Sequence, residues 1–216
     1  MMDGTPGKTP YGLVAIILAA GESRRMGRPK QLLPYGDRTV LQRVADNVLA
    51  SGVRPVIVVL GHRAEEVRAS LGDRPVVPVV NTDYASGMLS SVQAGVRAAL
   101  PLLMIEGRRG FLFCLGDQPQ VGPEVIRAVA TAFADTERGI VVPVLAGRRG
   151  HPAAYSAVYA GEILALGPGV GLREVLRRHP EDVCAVPLEE EGILADLDTP
   201  EEYRRAVSAL PTDPTS

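Results

Sequence analysis

The chain has 216 residues, with 46% hydrophobic, 22% charged and 4% aromatic side chains and a formal net charge of -2. That length fills one domain core and falls short of two, while the weak net charge and scarcity of rings argue against a nucleic-acid partner, which calls for basic patches and stacking platforms. The short β-branched run after Lys8 leads into a polar loop instead of a signal-peptide cleavage site, and no run approaches the roughly 20 apolar residues of a membrane span, so a cytoplasmic protein without a membrane partner is expected.

Taken in chain order, residues 11–208 read as a single domain, with residues 1–10 and 209–216 as flexible termini rich in Pro, Gly, Thr and Asp. Apolar, strand-like runs recur at Leu13 to Leu18, Pro55 to Leu60, Val76 to Val80, Gly110 to Leu115, Ile140 to Leu145 and Val183 to Leu188. They are apolar throughout instead of alternating, as strands covered on both faces are. Between the first two, Thr39 and Gln42 form a capping box, Leu41, Val44 and Val48 share a helical face, and Gly52 stops the helix. Further helices are predicted from Ser90 to Leu100 and from Pro123 to Phe133, the second with proline in its first turn. Arg148 to Tyr155 reads as a hairpin, and the glycine cluster Gly167 to Gly171 leads into a short helix through Arg178. Thr199, Pro200 and Glu202 open the last helix with a second capping box. This βα alternation predicts an α/β fold with helices on both faces of a parallel sheet. Cys114 and Cys184 lie in strand-like runs without a C-x-x-C partner and are expected as reduced core residues, and His62 and His179 as solvent-facing ones.

Four segments carry chemistry. The loop after the first strand, Leu18-Ala-Ala-Gly-Glu-Ser-Arg-Arg-Met-Gly-Arg-Pro-Lys30, sets one acid against four bases between Glu22 and Lys30. Glycine lets a buried strand turn sharply and present backbone N–H groups to phosphate, and Arg24, Arg25, Arg28 and Lys30 add charge. Its spacing matches neither G-x-G-x-x-G nor the P-loop. In the second segment, Cys114-Leu-Gly-Asp-Gln-Pro119, Asp117 follows a strand and so falls on the carboxyl edge of the sheet, where ligands of such folds bind. A carboxylate there suits Mg²⁺ against phosphate oxygens, and Asp198, in the acidic stretch from Glu189 to Glu202, is its expected partner, with Asp196 as the alternative. The third segment, Asn81 to Ser91, brings Asn81, Ser90 and Ser91 within reach of a base edge, unless the serines only cap a helix. The fourth, Gly150-His-Pro152, offers His151 as an acceptor contact or a structural histidine.

Together the loop motif, Asn81, Gly87-Met-Leu-Ser-Ser91, Gly116-Asp-Gln-Pro119, Gly150-His-Pro152 and Asp198-Thr-Pro200 resemble the nucleotidyltransferases of glycosyltransferase-A type fold. Within them they are most similar to the MobA-like branch and its molybdenum cofactor cytidylyltransferases. The resemblance implies a Rossmann-like three-layer sandwich on a mostly parallel mixed sheet, of the nucleotide-diphospho-sugar transferase kind. It places Leu18, Ala19, Ala20, Gly21, Arg25, Gly27, Lys30, Asn81, Gly87, Ser90, Ser91 and Asp117 on the nucleotide. Arg25, Lys30 and Asp117 would be catalytic, Asp117 and Asp198 would hold Mg²⁺, and His151, Pro152 and Gly171 would meet the acceptor. The implied substrates are CTP and molybdopterin, with transient contact to a molybdoenzyme or its chaperone. Ala-Ala-Gly accompanies CTP in this family and Ala-Gly-Gly accompanies GTP, so Ala20 implies cytidine. The chain departs from the pattern at Pro168-Gly169, where relatives often carry Gly-Asp, and this bears on the acceptor.

Overall fold

The computed structural model describes residues 11–104, 107 and 109–210. Ten strands and seven helices form among them. The strands are β1 (Leu13–Ala19), β2 (Pro34–Tyr35), β3 (Arg38–Thr39), β4 (Val56–Leu60), β5 (Val77–Val80), β6 (Gly110–Leu115), β7 (Ile140–Leu145), β8 (Arg148–Arg149), β9 (Ala153–Ser156) and β10 (Val183–Pro187). The helices are α1 (Val40–Ser51), α2 (Ala64–Ser70), α3 (Met88–Leu103), α4 (Pro123–Asp135), α5 (Ala160–Ala165), α6 (Arg173–Arg178) and α7 (Pro200–Ser208).

The main sheet runs β10-β7-β9-β6-β1-β4-β5, with β8 paired to β7, and is parallel except at β8 and β9. The continuous apolar strands produce this arrangement because both faces are covered. Leu13, Ala15 and Ile17 of β1 pack with α1 and α4 residues such as Val44 and Val129, while Val14 and Ile16 pack with Val92 and Val96 of α3 and Ile163 of α5. Each such Leu, Ile or Val taken fully out of water contributes roughly 1.5–3 kcal/mol before entropy is counted. The result is the α/β three-layer sandwich on a mostly parallel mixed sheet. No helix among the described residues is long and apolar enough to cross a membrane.

The capping box of α1 forms as expected: the Gln42 N–H donates to Thr39 Oγ1 at 3.2 Å, and the Thr39 N–H donates to Gln42 Oε1 at 2.8 Å. Several expectations change. Arg148 to Tyr155 is not a self-paired hairpin. Ala146 and Gly147, with φ of 48° and 79°, turn β8 back onto β7, and β9 then enters the sheet antiparallel between β6 and β7. Ala153, Ala154 and Tyr155 are buried on both faces, which an edge hairpin would not allow. Helix α3 starts at Met88, two residues before the expected Ser90, so Ser90 and Ser91 lie inside its first turn and Gly87 is the N-cap. Of the expected flexible tail, Ala209 and Leu210 are described: the exposed Ala209 donates its N–H to Arg205 O at 3.2 Å, and Leu210 packs against a small cluster of Leu33, Tyr35, Val40 and Leu197. The remaining expected flexible residues, 1–10 and 211–216, lie outside the described ones. Cys114 is buried, which pushes its thiol up to about 12, whereas Cys184, on the edge strand, is half-buried. His179 is not free in solvent but sits 2.8 Å from Glu162 Oε2, and His62 packs its ring against Tyr84.

Candidate active site

The parallel register of β1 with β6, in which Leu18 lies opposite Leu115, sets Ala20-Gly21 and Gly116-Asp117 side by side at the carboxyl edge. Two glycines make the approach feasible. A Cβ at Gly61 would lie 2.7 Å from Ala20 O, and one at Gly116 would lie 2.8 Å from Leu18 O and 2.9 Å from Ala19 Cβ, so any side chain there would force the strand ends apart. From Gly21 the chain passes through Ser23, in a left-handed conformation at φ 55°, a single 3-10 turn at Arg24–Met26, and Gly27 at φ 67°, before a second 3-10 turn begins at Lys30.

A cavity of about 250 Å³ opens beside this loop. Of the residues expected on the nucleotide, Leu18, Ala20, Gly21, Lys30, Gly87, Ser91 and Asp117 line it, joined by Gln31, Tyr84 and Met88, which the sequence reading did not single out. Ala19, Arg25, Gly27, Asn81 and Ser90 do not line it. Asn81 supports the wall: only 6% exposed, its Nδ2 donates to Ser90 Oγ at 2.8 Å and Ser91 Oγ at 3.1 Å, and its Oδ1 accepts from the Asp83 N–H at 3.0 Å. From the loop before α3, Asn81 therefore braces Ser90 and Ser91 of that helix's first turn, and the serines serve neither as caps nor as free groups.

The charged centre lies at the mouth. Lys30 Nζ donates to Asp117 Oδ2 and, at 2.9 Å, to Asp198 Oδ1, and Arg25 Nη2 donates to Asp198 Oδ2 at 2.7 Å. Two carboxylates, one from the middle of the sequence and one from near its end, thus converge on one ammonium. Burial lowers the Lys30 pKa, but Asp117 and then Asp198 outweigh it and leave the ammonium held above its ordinary value. The hydrogen bond from Lys30 holds Asp198 below the usual carboxylate range. Asp196 behaves oppositely, raised by burial and by the Asp117 charge, while its Oδ1 accepts from Gln118 Nε2 at 2.9 Å. The backbone stitches the acidic segment in place, with the Leu197 N–H donating to Asp117 O at 3.3 Å and the His151 N–H to Ile193 O at 3.1 Å. A second and wider groove, about 1260 Å³, is bordered by Tyr35, Arg43, Asn47, Gln120, Asp196 and Asp198.

His151 is shielded, and burial lowers its imidazole pKa against the opposing pull of Asp117. Pro152 is buried. Gly171 precedes the Leu172 N-cap of α6, where its carbonyl accepts from the Glu174 N–H at 2.9 Å, and no hydrogen bond among the described residues joins it to His151.

The carboxylates also decide whether a metal fits. Among the described residues there is no cluster of three or more His, Cys, Asp and Glu suited to a metal. A hard cation on a nucleotide needs only one or two carboxylates plus water and phosphate oxygens. The Lys30 ammonium marks a point that one cation can share between Asp117 and Asp198, and in that sense the residues fit.

Comparison with known proteins agrees with this architecture. The family model described as the MobA-like NTP transferase domain matches residues 15–183. The chain is 33% identical to the nicotine blue oxidoreductase of Paenarthrobacter nicotinovorans, over 89% of this chain and 95% of that protein. It is 30% identical to the molybdenum cofactor cytidylyltransferase of Escherichia coli (strain K12), over 87% and 92%. Among solved structures, Rv0371c from Mycobacterium tuberculosis H37Rv superposes with a TM-score of 0.78 at 31% identity, covering 91% of this chain and 98% of that one. The same protein in complex with manganese gives 0.72 at 32% identity, covering 92% and 99%. The glycine-turned loop, the carboxylate edge and the family match over most of the chain converge on one conclusion: this protein belongs to the MobA-like NTP transferase family and is a nucleotidyltransferase of that kind.

Proposed function

We propose that this chain, as one nucleotidyltransferase domain over residues 11–208, transfers CMP from CTP to the terminal phosphate of molybdopterin. The observation that carries the reading is the Lys30 ammonium held between Asp117 and Asp198 at the mouth of a cavity walled by Ala20 and Gly21. An oxygen of the acceptor phosphate attacks the α-phosphorus of CTP, the bond from that phosphorus to the bridging oxygen breaks, and pyrophosphate leaves with the electron pair. No protein nucleophile is required, and no Ser-His or Cys-His pair is present at the site among the described residues.

Because two anions must meet, this chain's work is placement and neutralisation. The cradle binds the triphosphate through backbone N–H groups of the Ala20 to Glu22 turn. Lys30 moves its charge from the carboxylates to the departing pyrophosphate, and Arg25, two-thirds exposed at the rim, follows the same anion. Asp117 and Asp198 are the residues that would hold Mg²⁺, which when bound supplies charge neutralisation at the phosphates. The Ala20 methyl narrows the wall against a purine. His151, Pro152 and Gly171 form the acceptor side in this reading, and Pro168-Gly169 leaves that side without the acid that relatives often carry.

The similarity to nicotine blue oxidoreductase favours a second reading, in which the cradle holds a redox-active dinucleotide. Pyrophosphate release from each of the four nucleoside triphosphates, with and without molybdopterin, separates the two. Release with CTP alone, and only with the pterin, is expected. Silence with all four, together with oxidation of a reduced nicotinamide dinucleotide, would overturn the transferase reading in favour of the second.

A further inference from the structure

We propose that Gln31 is the positioning residue of the cradle, a buried carboxamide that sets the direction of the backbone N–H groups meeting the phosphates. This rests on the reading of the cradle as a nucleotide site. Long polar side chains are seldom buried, and when they are their hydrogen-bonding capacity is filled. Gln31 is 2% exposed and the one buried polar residue of the cradle among the described residues. Its Nε2 has two hydrogens and uses both, donating to Ala19 O at 3.1 Å and Gly21 O at 3.1 Å. Its Oε1 accepts from Ser23 Oγ at 3.4 Å, and Ser23 Oγ in turn accepts from the Lys30 N–H at 3.0 Å.

These bonds close the segment from Ala19 to Gln31 into a ring. In a trans peptide the C=O and N–H point in opposite directions. Holding the carbonyls of Ala19 and Gly21 toward Gln31 therefore aims the N–H groups of Ala20 and Glu22 away from it. Without that hold, a turn containing Gly21, and Gly27 at φ 67°, has wide conformational freedom. The Ser23 bridge performs a second task, because it fixes the backbone of Lys30 relative to the same peptide planes. Gln31, at the wall of the cavity, thus couples the two phosphate-directed elements, amides and ammonium, through the backbone it holds.

Gln31→Met, which keeps the length and removes both donors, tests this against inorganic tripolyphosphate and CTP. The expected result is a folded variant whose Ala20, Gly21 and Glu22 amide resonances shift in the nucleotide-free protein. Its affinity for tripolyphosphate should fall about tenfold or more, the scale on which small misplacement acts. The KM for CTP should rise in step, with the acceptor KM changing less than about threefold. If Gln31→Met does not fold, Ser23→Ala removes only the Oγ bridge and should give the same pattern at smaller amplitude. Unshifted amides with unchanged tripolyphosphate affinity in a folded variant would overturn the proposal, as would a wild-type chain that does not bind tripolyphosphate at all. Failure of CTP alone, with tripolyphosphate binding and the amide shifts intact, would sink the cytidylyltransferase reading and leave Gln31 in its role.

Discussion

Replacing Lys30 by methionine should move two measurements in opposite directions. In the wild-type chain the ammonium sits 2.9 Å from Asp198 Oδ1 and also contacts Asp117, with only 13% of its side chain exposed. At that separation and an effective dielectric near 20, the attraction to Asp198 is about 6 kcal/mol before desolvation is charged against it. A divalent ion entering between Asp117 and Asp198 must displace this contact. If Lys30→Met frees only a quarter of that attraction, about 1.5 kcal/mol, Mn²⁺ affinity in the nucleotide-free protein rises roughly tenfold. Turnover should instead fall about 100- to 1000-fold, because a preorganised stabilising group at the phosphates is lost. Titrating Mn²⁺ by its electron paramagnetic resonance signal, beside a pyrophosphate-release assay, reads both. Unchanged or weaker Mn²⁺ binding would refute the claim that the ammonium occupies the cation position. Turnover within a few-fold of wild type would refute its part in catalysis.

Two further outcomes follow from side chains already placed. Ala20→Gly removes a methyl from the cavity wall, so the ratio of kcat/KM for GTP over CTP should rise by about tenfold or more, the worth of one carbon in a close-fitting pocket; an unchanged ratio would remove Ala20 from base selection. Far from the site, Arg74 grips Asp46 with two bonds of 2.7 and 2.9 Å, and this hydrogen bonding holds the Asp46 carboxyl below its ordinary 3.8. A depressed folded-state value means stability that is complete above 3.8 and lost as pH falls through the lower folded value. Arg74→Met should therefore be less stable than wild type by roughly 0.2–1 kcal/mol at neutral pH, and the difference in denaturant midpoint should close in acid. A difference that persists in acid would mean that lost packing, not charge, is responsible.

The parts of this molecule legible in the sequence are those where burial and local chemistry agree. The run Leu13 to Leu18 could only be a strand covered on both faces, and Thr39 with Gln42 dictates the start of α1 before any tertiary contact is made. Strand β9 is less legible, because Ala153-Ala-Tyr-Ser156 is short and its place between β6 and β7 depends on partners more than ten residues away in every case. Helix α2 went unread because Glu65, Glu66 and Arg68 leave only Val67 buried. At the site, Lys30, Asp117 and Asp198 were visible as charges at element ends, yet their mutual contact was not. Gln31 was overlooked because a polar residue beside a lysine reads as surface. The available signal was its position next to Leu32 and Leu33, where the chain turns inward.

The antiparallel insertion of β9 also divides the sheet mechanically. It joins β6 through four residue pairs but β7 through only two, Ile140 with Tyr155 and Val141 with Ala154, against six between β1 and β6. A joint held by so few ladder bonds is expected to exchange its amides faster than the six-pair joint in the centre of the sheet. The β7–β9 joint separates the strands that carry the nucleotide loop and Asp117 from β7, β8 and β10. Exchange faster at Ala154 and Tyr155 than at Ile16 and Ile17 is the outcome this short ladder predicts, and equal exchange would refute it.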